Sequence, residues 1–249
     1  MRRTLVLYNY IQQKIQHITE SATCSDALRD TFSTICCIKH HQQKNMLKEI
    51  FYNLFLQYCK DPEPCSIYWN EIESYYTGRK RYYHNLSHPE HFYNELLPCK
   101  HLVEDWDTIL FALFYHDIIY KATGKDNEER SALVAVTRLK ALQYPSARSA
   151  LCSQHILATK KHAPSKSSDT NIFTDADLSI LGADNESYIL YTKQIRKEYA
   201  VYPDFMYKPG RKKVLQHFLQ MERIYKTNHF FNRYERQARE NISAELHAL

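Results

Sequence analysis

The sequence predicts an all-α protein. Only four glycines occur in 249 residues, and turn signals are sparse between long amphipathic runs, whereas sheets need frequent turns. Hydrophobic residues make up 44% of the chain, enough for a globular core at this length. Residues 1 to about 58 read as two or three helical patterns with a polar interruption at 21–26. Leu47, Ile50, Phe51, Leu54, Phe55 and Tyr58 recur at helical spacing as one apolar stripe. Pro62 and Pro64 then break the pattern, because each disfavours helix at the residue before it. The chain thus divides into a helical N-terminal extension, 1–65, and a main domain, 66–249. The extension suits a cap on that domain, an oligomer contact or a partner-binding appendage.

Within the main domain, helices are expected over 67–76 and 86–97, the second ending at Pro98. Asp105 or Asp107 caps a helix running to Tyr120, and Asn127 caps one running to about Gln143, where Tyr144-Pro145 stops it. Ser146 opens a helix reaching roughly to His162, and 163–170 is a polar loop. Helices near 184–201, 211–227 and 231–247 complete the pattern.

Bulk properties exclude some functions. A net charge of +5 suits an anionic small molecule but is too weak to imply nucleic acid. The twenty tyrosines read as core and pocket lining. The seven cysteines are scattered, with Cys36-Cys37 adjacent and no Cys-x-x-Cys spacing, as in a cytoplasmic protein with reduced thiols. No apolar run approaches the roughly 20 residues of a membrane span.

The chemistry concentrates on His116-Asp117, which ends the apolar stretch 109–115. His84 lies upstream and Asp177 downstream. Two imidazoles and two carboxylates from separate segments form a donor set that holds a divalent metal with open positions. An unpaired carboxylate at the edge of an apolar helix is costly, and a cation offsets that cost. Asp175 and Asp177 also admit a plainer reading, in which one of them caps the turn before Leu178.

These residues resemble a known family. The order His84, His116-Asp117, Asp177 is similar to the H…HD…D signature of the HD superfamily of metal-dependent phosphohydrolases. Arg81-x-x-His84-Asn85-Leu86-x-His88 and Tyr115-His116-Asp117-Ile118-Ile119-Tyr120 resemble a bacterial branch known as predicted HD-superfamily hydrolases. Asn127-Glu128-Glu129-x-Ser131-Ala132, Asp175-x-Asp177-Leu178-x-Ile180-Leu181-Gly182, Ile195-Arg196-x-Glu198-Tyr199, Gly210-Arg211 and Ile224-Tyr225-x-Thr227 continue the resemblance in order, over about residues 68 to 246.

The resemblance implies an HD-type helical bundle in which His84, His116, Asp117 and Asp177 ligate a divalent ion (Mn, Ni, Co, Fe, Zn or Mg). The ion activates water to attack a phosphate ester of a nucleotide or other small molecule. Asp117 and Glu128 are the expected catalytic groups, Glu128 as general acid; first-turn acids favoured by the helix dipole are its plainer reading. Arg81 is placed to clamp phosphate, with Lys160, Lys161 and Arg211 as further cations and Gly210-Arg211 expected at a helix N-terminus. His88 either orients substrate or lies behind the ligands, and His162 contacts phosphate or a second metal. His155, seven residues before His162, would lie about 10.5 Å away along a continuous helix and reads as packed or surface. Two rivals remain: a binding module of the same fold without turnover, and a di-iron oxygenase that needs both His155 and His162 as ligands.

Overall fold

The computed structural model describes residues 46–249. Among them ten α-helices and two 3-10 helices occur and no strand, so the protein is all-α. The helices are α1 (46–55), α2 (Pro62–Tyr76), α3 (Ser87–Leu96), α4 (Trp106–Tyr115), α5 (Asn127–Ala141), α6 (Ser146–Ala158), α7 (Ser168–Asp177), α8 (Asn185–Glu198), α9 (Asp204–Gln220) and α10 (Asn228–Ala248). The 3-10 segments Leu97–Leu102 and Leu178–Gly182 follow α3 and α7. Readings that fall on residues 1–45, including the interruption at 21–26 and Cys36-Cys37, lie outside the described residues.

A compact unit spans Leu47–Leu249 and so begins ahead of the boundary expected at residue 65. The apolar stripe of α1 explains this. Leu47, Phe51, Leu54 and Phe55 are buried, and the Phe51 ring lies 5.1 Å from Phe114 and 5.8 Å from Trp69. The Pro62–Pro64 break is only the turn into α2, where Asp61 accepts from the Glu63 N–H at 2.9 Å and proline suits the first helical turn.

The centre of the unit is α4, whose residues from Thr108 to Tyr115 are all buried, as expected for a helix apolar on every side. Asp105 caps it by accepting from the Thr108 N–H (3.1 Å) and hydroxyl (2.6 Å). The Asp169 carboxylate of α7 accepts from the Glu104 and Asp105 N–H groups, both at 2.9 Å, and so ties α7 to the start of α4. The expected extension of α4 to Tyr120 does not occur. The helix ends at Tyr115, and the chain turns sharply through His116-Asp117. Asn127 is not a cap either; it opens α5, and its side chain bonds back to the Lys121 N–H and carbonyl.

Two other boundaries move. The last segment of α6 stops at Ala158, short of His162. Helix α9 begins at Asp204, one turn before Pro209, so Gly210-Arg211 lies inside a helix and not at an N-terminus. Pro209 is the sixth residue of α9, past its first turn, and costs the helix the bond its N–H would make to the Phe205 carbonyl. Gly182 has no freedom to be larger: a Cβ there would lie 2.6 Å from Cβ of Tyr234, where α10 crosses the second 3-10 segment. Cys65, Cys99 and Cys152 are buried free thiols and Cys59 is half-buried. None of the described helices is long and apolar enough to cross a membrane.

Candidate metal centre

Four segments converge beside the C-terminal end of α4. His116 occupies the cap position of α4, and its Nδ1 lies 2.9 Å from the Leu113 carbonyl. A carbonyl oxygen only accepts, so Nδ1 carries a proton. Burial lowers the ring, but Asp117 and Asp177 outweigh it and raise it to about 9, so Nε2 is protonated too until an ion takes the place of that proton. His88, in the first turn of α3, faces it with the two Nε2 atoms 2.9 Å apart. Asp117 Oδ2 lies 3.2 Å from His116 Nε2 and 3.5 Å from His88 Nε2. Asp177, the last residue of α7, places Oδ1 3.2 Å from His88 Nε2 and 3.9 Å from His116 Nε2.

This donor set fits a divalent ion. Ligands about 2.1 Å from a common ion lie about 3 Å apart when at right angles, close to the separations above. His88 Nδ1 is buried without a hydrogen-bond partner, so the ring's hydrogen bonding is all on the Nε2 side, toward the cluster, while Tyr83 and Phe92 pack beside it. His88, His116 and Asp117 form the one compact group of three metal-type donors among the described residues. Burial works against charge on the Asp117 carboxyl, but His116, His84 and His88 outweigh it and hold it far below the usual carboxylate range. Asp177 is likewise held down against burial, chiefly by His88 and His116. Burial pushes His88 down, toward the neutral form that ligates.

His84, expected as a ligand, sits at the margin instead. Its Nε2 is 3.9 Å from Asp117 Oδ2, while its Nδ1 lies 2.6 Å from Glu198 Oε2. The reason is local: α3 starts at Ser87, so His88 is on the helix and aimed inward, whereas His84 belongs to the preceding loop. Glu198, at the end of α8, holds that loop. Its Oε1 accepts from the N–H groups of Tyr82, Tyr83 and His84 at 2.7, 2.8 and 2.9 Å, and its Oε2 accepts from the Tyr120 hydroxyl at 2.9 Å. Burial would raise this carboxyl, but His84 and the loop N–H groups hold it below its ordinary range.

Arg81 is not free to clamp phosphate. Its Nη1 donates to the carbonyls of His84 (2.9 Å) and Asp117 (2.7 Å), and its Nη2 donates to that of Ile118 (2.8 Å). Those carbonyls lack helical partners where α4 breaks off, and the guanidinium lies over the rings of Tyr76 and Tyr120. Arg81 therefore pins the loop of His84 to the turn of His116-Asp117.

His162 reaches the cluster from the turn after α6, with Nε2 3.6 Å from Asp177 Oδ2 and burial pushing it down to about 4. Its φ of 49° is in the left-handed region, an uncommon conformation for a side chain other than glycine. Asp175 does not cap the turn before Leu178; its carboxylate accepts from the N–H groups of Lys226 (2.9 Å) and Thr227 (2.7 Å), just before α10. Glu128 lines the cavity above the cluster, 3.9 Å from Lys160 Nζ. Lys160 itself bonds Glu129 and the Lys125 carbonyl. Arg211 also lines this cavity, buried in an ion pair with Glu245.

His155 does not join the site. It is 2% exposed, its Nδ1 lies 2.9 Å from the Thr170 hydroxyl, and its ring packs near Phe173. The ligand set of a di-iron oxygenase, which would need it, is not assembled. Burial pushes His155 down to about 4. The unfolded chain, with the group near 6.5, binds the proton first, so this contribution to stability is complete above about pH 6.5 and lost as pH falls toward 4. Urea unfolding of the parent and His155→Gln is expected to show their stability difference shrinking by about 3 kcal/mol across that window. A constant difference would place the titration elsewhere.

The cavity holding these groups has a volume of about 630 Å³, within the usual range of small-molecule sites. Comparison of the chain with protein-family models, with curated proteins and with solved structures finds no match.

Proposed function

We propose that the protein is a metal-dependent phosphohydrolase of the HD type acting on a small phosphate ester. The observation that carries the reading is the convergence of His88, His116, Asp117 and Asp177 within 2.9 to 3.9 Å at a cavity large enough for a small molecule. The order of these residues along the chain, with the motifs around them, supports the resemblance to that superfamily. A divalent ion bound there supplies a Lewis acid for the phosphoryl oxygen and a water of lowered pKa.

The remaining chemistry belongs to the chain. The Leu113 carbonyl holds His116 by Nδ1 with Nε2 turned inward, where an ion would replace its proton, and Asp117 and Asp177 supply the negative charge that would retain the ion. His84 lines the cavity with Nδ1 donating to Glu198. Burial lowers this ring but Asp117 and Glu198 outweigh it and raise it, so the imidazolium form has a proton on Nε2 to give to the leaving oxygen. The ester P–O bond breaks, water supplies the new oxygen on phosphorus, and an alcohol and phosphate leave. Glu128 lies with Lys160 along the wall of the cavity, where it meets substrate.

The test is phosphate release from a panel of phosphate esters with Mn²⁺, Ni²⁺, Co²⁺, Fe²⁺, Zn²⁺ or Mg²⁺. Release with at least one ion, abolished by Asp117→Ala, is the expected result. Ligand binding without release would favour a binding module, and unchanged melting with every ion would remove the metal from the reading altogether.

A further inference from the structure

The charge pattern of the cavity wall narrows the substrate, on the phosphohydrolase reading above. Among the described residues one lysine and one arginine line the cavity, and each already has a carboxylate, as does His84 beside the cluster. Arg211, 9% exposed, donates Nε to Glu245 Oε1 at 2.7 Å and Nη2 to Oε2 at 2.9 Å, while Nη1 lies 3.3 Å from the Tyr191 hydroxyl. Lys160 bonds Glu129 and stands 3.9 Å from Glu128. A divalent ion would balance Asp117 and Asp177. The attraction for phosphate is thus confined to the cluster, and a second or third phosphate would enter a region with no unmatched cation.

The wall contributed by α8, α9 and the turn between them has a different chemistry. It presents Ile195, Met206, Val214 and Phe218 with the rings of Tyr199 and Tyr207 and no carboxylate or amide. Of the amide and carboxylate that α5 adds to the lining, Asn127 is bonded to the Lys121 backbone and Glu128 lies 3.9 Å from Lys160. The apolar surface continues at this corner of the fold, where Phe205 is 77% exposed and Val201 66%.

We propose that the cavity takes an ester bearing a single phosphate on an uncharged apolar body, aryl or alkyl, which lies against α8 and α9. Nucleoside di- and triphosphates are poor ligands because the guanidinium that lines the cavity among the described residues, that of Arg211, is neutralised by Glu245.

Calorimetric titration of the full chain with Mn²⁺ tests this without turnover. The probes are methyl-, phenyl- and hexylphosphonate and non-hydrolysable analogues of AMP, ADP and ATP. Phenyl- and hexylphosphonate are expected to bind on the order of 10-fold tighter than methylphosphonate, from the apolar area they bury. A preference for one of the two distinguishes an aryl from an alkyl substrate. Val214→Gln, at a half-exposed wall position, is expected to reduce that advantage while leaving methylphosphonate unchanged. Glu245→Gln uncovers the charge of Arg211 and is expected to raise the affinity of the ADP analogue relative to the AMP analogue by about 5- to 10-fold. Equal binding of the three phosphonates, or an ADP or ATP analogue bound more tightly than the phosphonates by the parent, overturns the proposal while the hydrolase reading stands. Failure to bind Mn²⁺ and every phosphonate overturns both.

Discussion

His88→Ala is expected to lose the divalent ion, and with it all measurable phosphate release, while His84→Ala keeps the ion and loses turnover. The two imidazoles are one helical turn apart in sequence, yet only His88 stands 2.9 Å from His116 Nε2 and 3.2 Å from Asp177 Oδ1. Losing a group that merely supports a ligand typically costs 10- to 100-fold in metal affinity, so losing a ligand costs more than that. His84 lies 3.9 Å from the nearest carboxylate of the cluster and is bonded to Glu198. Its removal is expected to change metal affinity by only a few fold and to lower kcat about 10²- to 10⁴-fold, the usual range for a general acid. Metal content by emission spectrometry, alongside phosphate release, separates the two. The reverse pattern, with metal lost in His84→Ala and retained in His88→Ala, would restore His84 as the ligand.

Two substitutions of Glu198 are expected to part stability from activity. In Glu198→Ala, three loop N–H groups, His84 and the Tyr120 hydroxyl all lose their acceptor. A buried donor left unsatisfied costs about 1–3 kcal/mol, and some of these regain water, so a loss of about 4 kcal/mol is expected in urea unfolding. Glu198→Gln retains one oxygen for the three N–H groups but sets an amide N–H₂ against His84 Nδ1. It is expected to cost at most about 2 kcal/mol and still to depress turnover strongly, because the imidazolium loses the carboxylate that keeps it protonated. Full activity in Glu198→Gln would reduce Glu198 to a structural anchor.

How much of this was legible in the sequence depends on the distance over which a feature is decided. The helical class follows from local pattern and composition, and α4 as the central helix follows from its unbroken apolar run. His116, Asp117 and Asp177 were legible as a set because their order along the chain matches a family pattern. The choice between His84 and His88 was not, since it turns on α3 starting at Ser87, and boundaries are the least determined part of a helical pattern. Arg81 looked like a phosphate clamp because the carbonyls it serves lie 36 and 37 residues away, exposed by the early end of α4. For Arg211 the sequence left phosphate contact and pairing with an acid equally open, and the acid that decides it, Glu245, lies 34 residues downstream. Glu198 stood in a motif that signalled its presence without its role, and its partners lie 114 to 116 residues upstream.

The span between Glu198 and the loop of His84 also bears on how the protein folds. A single carboxylate closes a loop of more than a hundred residues, and none of its bonds exists until α8 docks beside the segment before α3. Closing such a loop is entropically unfavourable, though the cost grows only slowly with length, and contacts of this separation make folding slow. Helices α2 to α7 have mostly near neighbours in sequence, so their formation does not require this closure. Arg81 can tie the loop of His84 to the end of α4 before that closure, but the carboxylate that fixes the His84 ring arrives only with α8.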